Sequence, residues 1–241
     1  MLRRTPLVEG ETYHIFNRGV NRDGMFANER DYRRFLLLLY LGNDSSPLQV
    51  ANLLKSYDGQ VLSEIFEKEK SSKSLVDILA YCLMPNHFHL VLRQKETNGI
   101  TRFMKKIATA YAMYFNLKNN RSGVFLQGRF QSRHVNNEAY FRYIFAYVHL
   151  NPLELIEPKW KENRLLMNES TATDYIRSYP YSSYYDYVVG ARPERSLLTS
   201  ESIPDFLRTS DDFKELLNSF YQGPSSVIGD RRKTSAETVV G

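Results

Sequence analysis

Residues 77–93 read DILAYCLMPNHFHLVLR. Two apolar runs flank Pro85-Asn86, both turn residues, so the runs form the two antiparallel strands of a hairpin. Side chains alternate between the faces of a strand. On the second run Phe88, Leu90 and Leu92 share one face, which is core. His87, His89 and Val91 share the other. Two imidazoles held side by side on a rigid strand suit two ligands of one metal ion.

A His-x-His pair alone is more often an exposed pair than a metal site, so a third ligand and a reacting group are needed. Residues 140–152 read YFRYIFAYVHLNP, a helical pattern ended by Pro152. Tyr147 and Asn151 are one turn apart and share a helix face. One suits a nucleophile, the other an oxygen ligand for the same metal. Tyr140, Tyr143 and Tyr147 form a stripe that on pattern alone is packing. His149 points elsewhere and reads as structural or as an outer partner of the site. His134 stands at a strand end, and His14 lies on a strand that can approach the site but is not taken as a site residue.

With these stretches in hand, the chain resembles the IS200-type, single-tyrosine (Y1, HUH) transposases, and within them the REP-associated tyrosine transposases. The matching residues are Tyr13-His14-Ile15-Phe16-Asn17-Arg18-Gly19, Met84-Pro85-Asn86-His87-Phe88-His89, Gly123–Arg133 and Tyr147-Val148-His149-Leu150-Asn151-Pro152. They stand in family order over roughly the first two-thirds of the chain. The resemblance implies an α+β fold, a ferredoxin-like or RRM-like antiparallel sheet with helices on one face. To it are added a helical insertion near 43–75 and a C-terminal appendage. The local order of strand, helix, hairpin, helix, strands and helix agrees.

The resemblance also implies chemistry. Tyr147 would attack a phosphodiester of single-stranded or hairpin DNA, leaving a 5′-phosphotyrosine link and a free 3′-OH. A divalent cation, Mg²⁺ or Mn²⁺, on His87, His89 and Asn151 would assist. Other branches carry Gln at the third position, and Asn151 is one methylene shorter. The rivals are a non-catalytic protein that binds structured DNA and a metal phosphoesterase in which water attacks.

The chain has 241 residues, 42% of them hydrophobic, and a net charge of +5. From Arg93 to Val135 nine basic residues face the single acid Glu96, so the rest of the chain is net acidic. That asymmetry points to a polyanion partner. The candidate phosphate contacts are Arg18 and Arg22 on the loop after the first strand, Lys105 and Lys106 on the helix after the hairpin, and Arg129 and Arg133 downstream. Cys82 is the single cysteine and cannot form an internal disulfide. No apolar run is long enough to cross a membrane and the N-terminus lacks a signal peptide's apolar segment, so a cytoplasmic, nucleoid-associated protein is expected.

The remaining elements follow from pattern. Thr12–Asn17 is a strand. Asn28 caps a helix from Glu29 to about Leu41, and Asn98 or Thr101 caps another reaching about Leu117. Val124–Gln127 and Arg129–Val135 read as short strands around Gly128, and Asn136 or Asn137 caps the Tyr147 helix. The expected catalytic domain spans 1–153 and the appendage 154–222, with Trp160 as an anchor and Tyr179-Pro180-Tyr181-Ser182-Ser183-Tyr184 resembling a motif of the REP-associated relatives. Residues 223–241 lack periodicity and read as a mobile tail. Both a homodimer and a monomer closed off by the appendage fit the resemblance.

Overall fold

A computed structural model of the chain describes residues 6–46, 73–163, 168–190, 192–199 and 213–221. Most of the insertion and all of the expected tail lie outside the described residues. Strand β1 (Thr12–Arg18) is followed by helix α1 (Glu29–Gly42), the hairpin β2 (Val76–Met84) and β3 (His87–Gln94), helix α2 (Gly99–Lys118) and strand β4 (Gln131–His134). The sheet order is β2-β3-β1-β4 and every pairing is antiparallel. This is the β-α-β-β-α-β plan of ferredoxin-like folds, as expected.

The helix ends are set by local chemistry. Asn28 Oδ1 accepts from the Asp31 backbone N–H, and Asp31 Oδ2 accepts from the Asn28 N–H, both at 3.3 Å, closing a capping box. Asn98 stands before α2, but it caps by conformation rather than by a side-chain bond, with φ at 62°. Gly99 follows it because a Cβ there would clash with the Leu75 carbonyl oxygen. Helix α3 (Glu138–Leu150) is capped by Asn137, whose Oδ1 accepts from Tyr140 N at 2.8 Å. Val124–Gln127 is not a strand. Only Leu126 forms a bridge, to Gly19, because β1 already pairs with β4 beyond that point.

Two apolar layers sandwich the sheet. On one face α1 and α2 pack on Tyr13, Ile15, Phe88, Leu90 and Leu92. On the other, α3 packs on Ala80, Cys82, Met84 and Val91. The helices therefore lie on both faces of the sheet rather than on one. Helix α3 is apolar nearly all round, which demands burial on more than one side. The appendage supplies it, through Trp160, Ile176, Tyr184 and Phe220. Its elements are a 3-10 turn (Asn151–Leu155), α4 (Trp160–Asn163), α5 (Glu169–Ser178), α6 (Tyr184–Val188), a 3-10 turn (Pro193–Leu197) and α7 (Phe213–Tyr221).

The appendage also covers the edge of β2. Leu83 N donates to Tyr181 O at 2.9 Å and Ser183 N to Tyr81 O at 3.0 Å. Ser183 Oγ accepts from Tyr81 N at 2.9 Å, and the Tyr179 hydroxyl donates to Leu83 O at 2.7 Å. Arg192 locks this strip by a two-pronged bond to Asp186, at 2.9 and 3.0 Å. The two ends of the insertion are held together by Asn43, whose side chain exchanges bonds of 2.9 and 3.0 Å with the Val76 backbone.

Asp31 is buried, and its Oδ1 accepts from the Tyr114 hydroxyl at 2.8 Å and from Lys118. Burial acts to raise its pKa, but these bonds and the Ala27 N–H outweigh it and hold the carboxyl below its ordinary value of 3.8. The stabilisation is thus present above that value and is lost as pH falls through the lower folded one. Asp31→Ala is expected to remove about 3 kcal/mol, seen as a lower urea midpoint at pH 7. The difference from the parent should shrink below about pH 4.

Candidate active site

The register of β1 between β3 and β4 builds the site's floor. His87 stands opposite Arg18, His89 opposite Phe16, and His14 opposite both Val91 and Arg133. Directly opposed residues point the same way. One face thus carries His14, Phe16, Arg18, His87, His89 and Arg133. Phe16 is half-buried, with its ring 5.0 Å from His14 and 5.9 Å from His89.

The histidines are oriented from behind. His87 Nδ1 lies 2.6 Å from Asn86 Oδ1, and His89 Nδ1 lies 2.9 Å from His14 Nε2. Their rings are 4.9 Å apart and nearly perpendicular. Both Nδ1 atoms thus have protein partners, so Nε2 is the ring nitrogen each would turn to a cation, the usual arrangement in metal-binding histidines. Burial pushes the His14 imidazole down to about 3, with Arg133 and Lys161 adding to the effect, so His14 is neutral.

Helix α3 sets Tyr147 over this pair. The Tyr147 ring meets His89 edge-on, with centroids 5.3 Å apart at 90°, and His14 at 5.8 Å. Asn151 stands one turn on, fully buried. Its Nδ2 donates to the Tyr147 carbonyl at 2.7 Å and its Oδ1 accepts from Lys161 Nζ at 2.7 Å. Lys161 also bonds Glu154 at 2.7 Å and lies 4.3 Å from the Tyr147 ring centroid. The donor set for a divalent ion is therefore two imidazoles, which fit. The Asn151 oxygen is turned to an ammonium, which fits less well. Among the described residues no group of three or more His, Cys, Asp or Glu could hold a metal.

The basic residues separate. Arg18 and Arg133 share the histidine face, where Arg133 also reaches Tyr140 on α3. Arg129 is exposed on the loop leading to β4. Arg22 lies in the 3-10 turn Val20–Arg22, and its side chain is outside the described residues. Lys105 and Lys106 are on α2, the layer beneath the opposite face; Lys106 donates to the Asp44 and Ser46 carbonyls at the insertion's root. Other charges of the basic stretch are neutralised locally: Arg93 and Lys95 by Asp77, Arg102 by Glu96, Lys118 by Asp31. A run of positive charge in sequence does not become one surface here.

The other histidines fall outside the site. His134 pairs with Glu11 at 2.7 Å on the far face. His149 is buried and its Nε2 lies 2.8 Å from Ser183 Oγ, tying α3 to the strip along β2. Lys161 escaped the sequence reading; its one signal was a lysine beside the buried Trp160. His14 was visible as a strand residue, but the strand register that brings it to His89 was not.

Residues 46–151 match the family model described as IS200-like transposase. No curated protein matches the chain. Among solved structures, a REP-associated tyrosine transposase bound to a REP hairpin is 16% identical with a TM-score of 0.48, over 89% of this chain and 95% of that one.

Proposed function

We infer, from the place of residues 46–151 in the IS200-like transposase family, that the chain is a single-tyrosine transposase that cuts and rejoins single-stranded DNA at hairpin-forming ends. One observation carries the reading. A helix-borne tyrosine, Tyr147, stands edge-on to a strand-borne histidine, His89, with His87 alongside. These are the three groups that the chemistry requires in one place.

In the proposed reaction Tyr147 Oη attacks the scissile phosphorus and loses its proton. The bond to the 3′ oxygen breaks, leaving a 5′-phosphotyrosine and a 3′-OH. Attack by another 3′-OH reverses the step and joins a new pair of ends, so the bond energy is kept. Free tyrosine has a pKa of about 10 and needs help to ionise. His87 and His89 would hold a divalent cation, Mg²⁺ or Mn²⁺, whose chemistry when bound is to polarise the phosphate and stabilise the leaving oxygen. Asn151 would serve as a third ligand only if Lys161 released its Oδ1. Arg18, Arg133 and Arg129 supply phosphate contacts, and the half-buried Phe16 ring offers a platform for a base. The appendage packed over α3 favours a monomer. No helix among the described residues is long and apolar enough to cross a membrane.

The test uses end-labelled single-stranded hairpins from DNA flanking the gene, incubated with protein and Mn²⁺ or Mg²⁺, then run on a denaturing protein gel. A shifted labelled band is expected, reduced by about 100-fold or more in His87→Ala. A non-catalytic hairpin-binding protein is the second reading, favoured by the Lys161–Asn151 contact. It predicts retention of the hairpin with no such band in any metal.

A further inference from the structure

We propose that His14 fixes the tautomer of His89 and so governs whether that imidazole can take a divalent cation. The proposal rests on the reading of His87 and His89 as metal ligands. His14 and His89 are diagonal neighbours on paired strands. Their rings stack at 5.1 Å and 21°, with His14 Nε2 2.9 Å from His89 Nδ1. His14 is 3% exposed, and its Nδ1 is buried with no hydrogen-bond partner.

One proton lies between the two rings, and it has two possible homes. With the proton on His14 Nε2, His14 donates, His89 Nδ1 accepts, and the second proton of His89 must sit on Nε2. That nitrogen then has no lone pair for a cation. With the proton on His89 Nδ1, His14 accepts and His89 Nε2 has its lone pair. The proton of His14 then sits on Nδ1, as a buried donor without an acceptor. In the first arrangement the proton on His89 Nε2 is buried as well, so burial does not rank the two, and only the second leaves Nε2 a lone pair for a cation. Passing to the second moves the bridging proton from His14 to His89. His89 Nε2 releases a proton and His14 Nδ1 takes one up, so net charge is unchanged. His14 is a positioning residue, acting through His89.

Long-range ¹H–¹⁵N correlation on the full-length protein with ¹⁵N-labelled histidine reads both tautomers directly, and Mn²⁺ titration followed by electron paramagnetic resonance reads affinity. His89 should carry its proton on Nδ1 once loaded with Mg²⁺. His14→Phe, which offers no acceptor, should weaken Mn²⁺ binding by roughly 10- to 100-fold. His14→Gln, whose Oε1 can accept, should stay within a few-fold of the parent. Unchanged affinity in His14→Phe, or a loaded His89 that keeps its proton on Nε2, would overturn the proposal. If His14→Phe does not fold, the tautomer readout on the parent decides. Parent binding abolished by His87→Ala but untouched by His14→Phe would sink this inference alone. No Mn²⁺ binding by the parent, with or without hairpin DNA, would sink the metal reading and this inference together.

Discussion

Tyr147→Phe is expected to hold a single-stranded hairpin as tightly as the parent and to form no covalent adduct with it. The loss in cleavage should be on the order of 10⁴-fold or more, the scale seen when a nucleophile is removed outright. The structure explains why the change should be clean. The position of Tyr147 is set through its ring, which faces His89, His14, Lys161 and, at 6.4 Å, Phe220. Phenylalanine keeps all of those contacts and removes only the oxygen. Asn151 holds the Tyr147 backbone carbonyl, which the substitution leaves untouched. Melting temperature and hairpin retention on a filter should therefore match the parent, while the labelled band on a denaturing gel disappears. Equal cleavage by parent and variant would mean that water attacks and that Tyr147 is packing, as in a metal phosphoesterase.

The largest effect on stability is expected from Arg192→Ala. Arg192 engages both oxygens of the fully buried Asp186, the Tyr81 hydroxyl at 3.1 Å, and the Ser182 and Pro180 carbonyls at 2.9 and 2.6 Å. Removing one partner of such a pair strands the other charge, at about 3–5 kcal/mol. For a chain of this size the melting temperature should fall by on the order of 10 °C. Lysine should rescue poorly, since a point charge cannot reproduce the fork. Burial already raises the Asp186 carboxyl above its ordinary range, against the pull of Arg192. Without the guanidinium it should rise further. An acid with a raised folded pKa destabilises where it is ionised, so the deficit should be larger at pH 8 than at pH 5. Thermal unfolding at the two pH values checks it, and a deficit that grew on acidification would contradict the assignment.

Much of the site was legible because short-range periodicity determines it. The alternation along 87–92 separated the histidines from the core, and one helical turn joined Tyr147 to Asn151. What escaped depends on long-range placement. Nothing in the spacing of Lys105 and Lys106 says that their helix packs beneath the other face of the sheet. The alternation of β1 placed His14 on a face, but only its register against β3 brings it to His89. The expected plan put the helices on one face, whereas α3 and the appendage pack on the histidine face as well. Val124–Gln127 had strand composition but pairs only around Leu126, opposite Gly19, where the chain leaves β1 for a 3-10 turn. Lys161 lies past the recognisable motifs, in a stretch whose amphipathic pattern gave no reason to point a lysine inward.

The strip along β2 bears on how the chain is made. Every residue of the proposed chemistry leaves the ribosome before Tyr179–Ser183 does. Until that strip arrives, the outer backbone of β2, including Tyr81 and Leu83, presents unfilled donors and acceptors along an apolar strand. Such an edge invites pairing with another chain. Translation halted between α4 and α5 would therefore release a polypeptide with its tyrosine and histidines in place and a strand ready to aggregate. The strip Tyr179–Ser183 thus shields, late in synthesis, an edge of the sheet that the earlier part lays down.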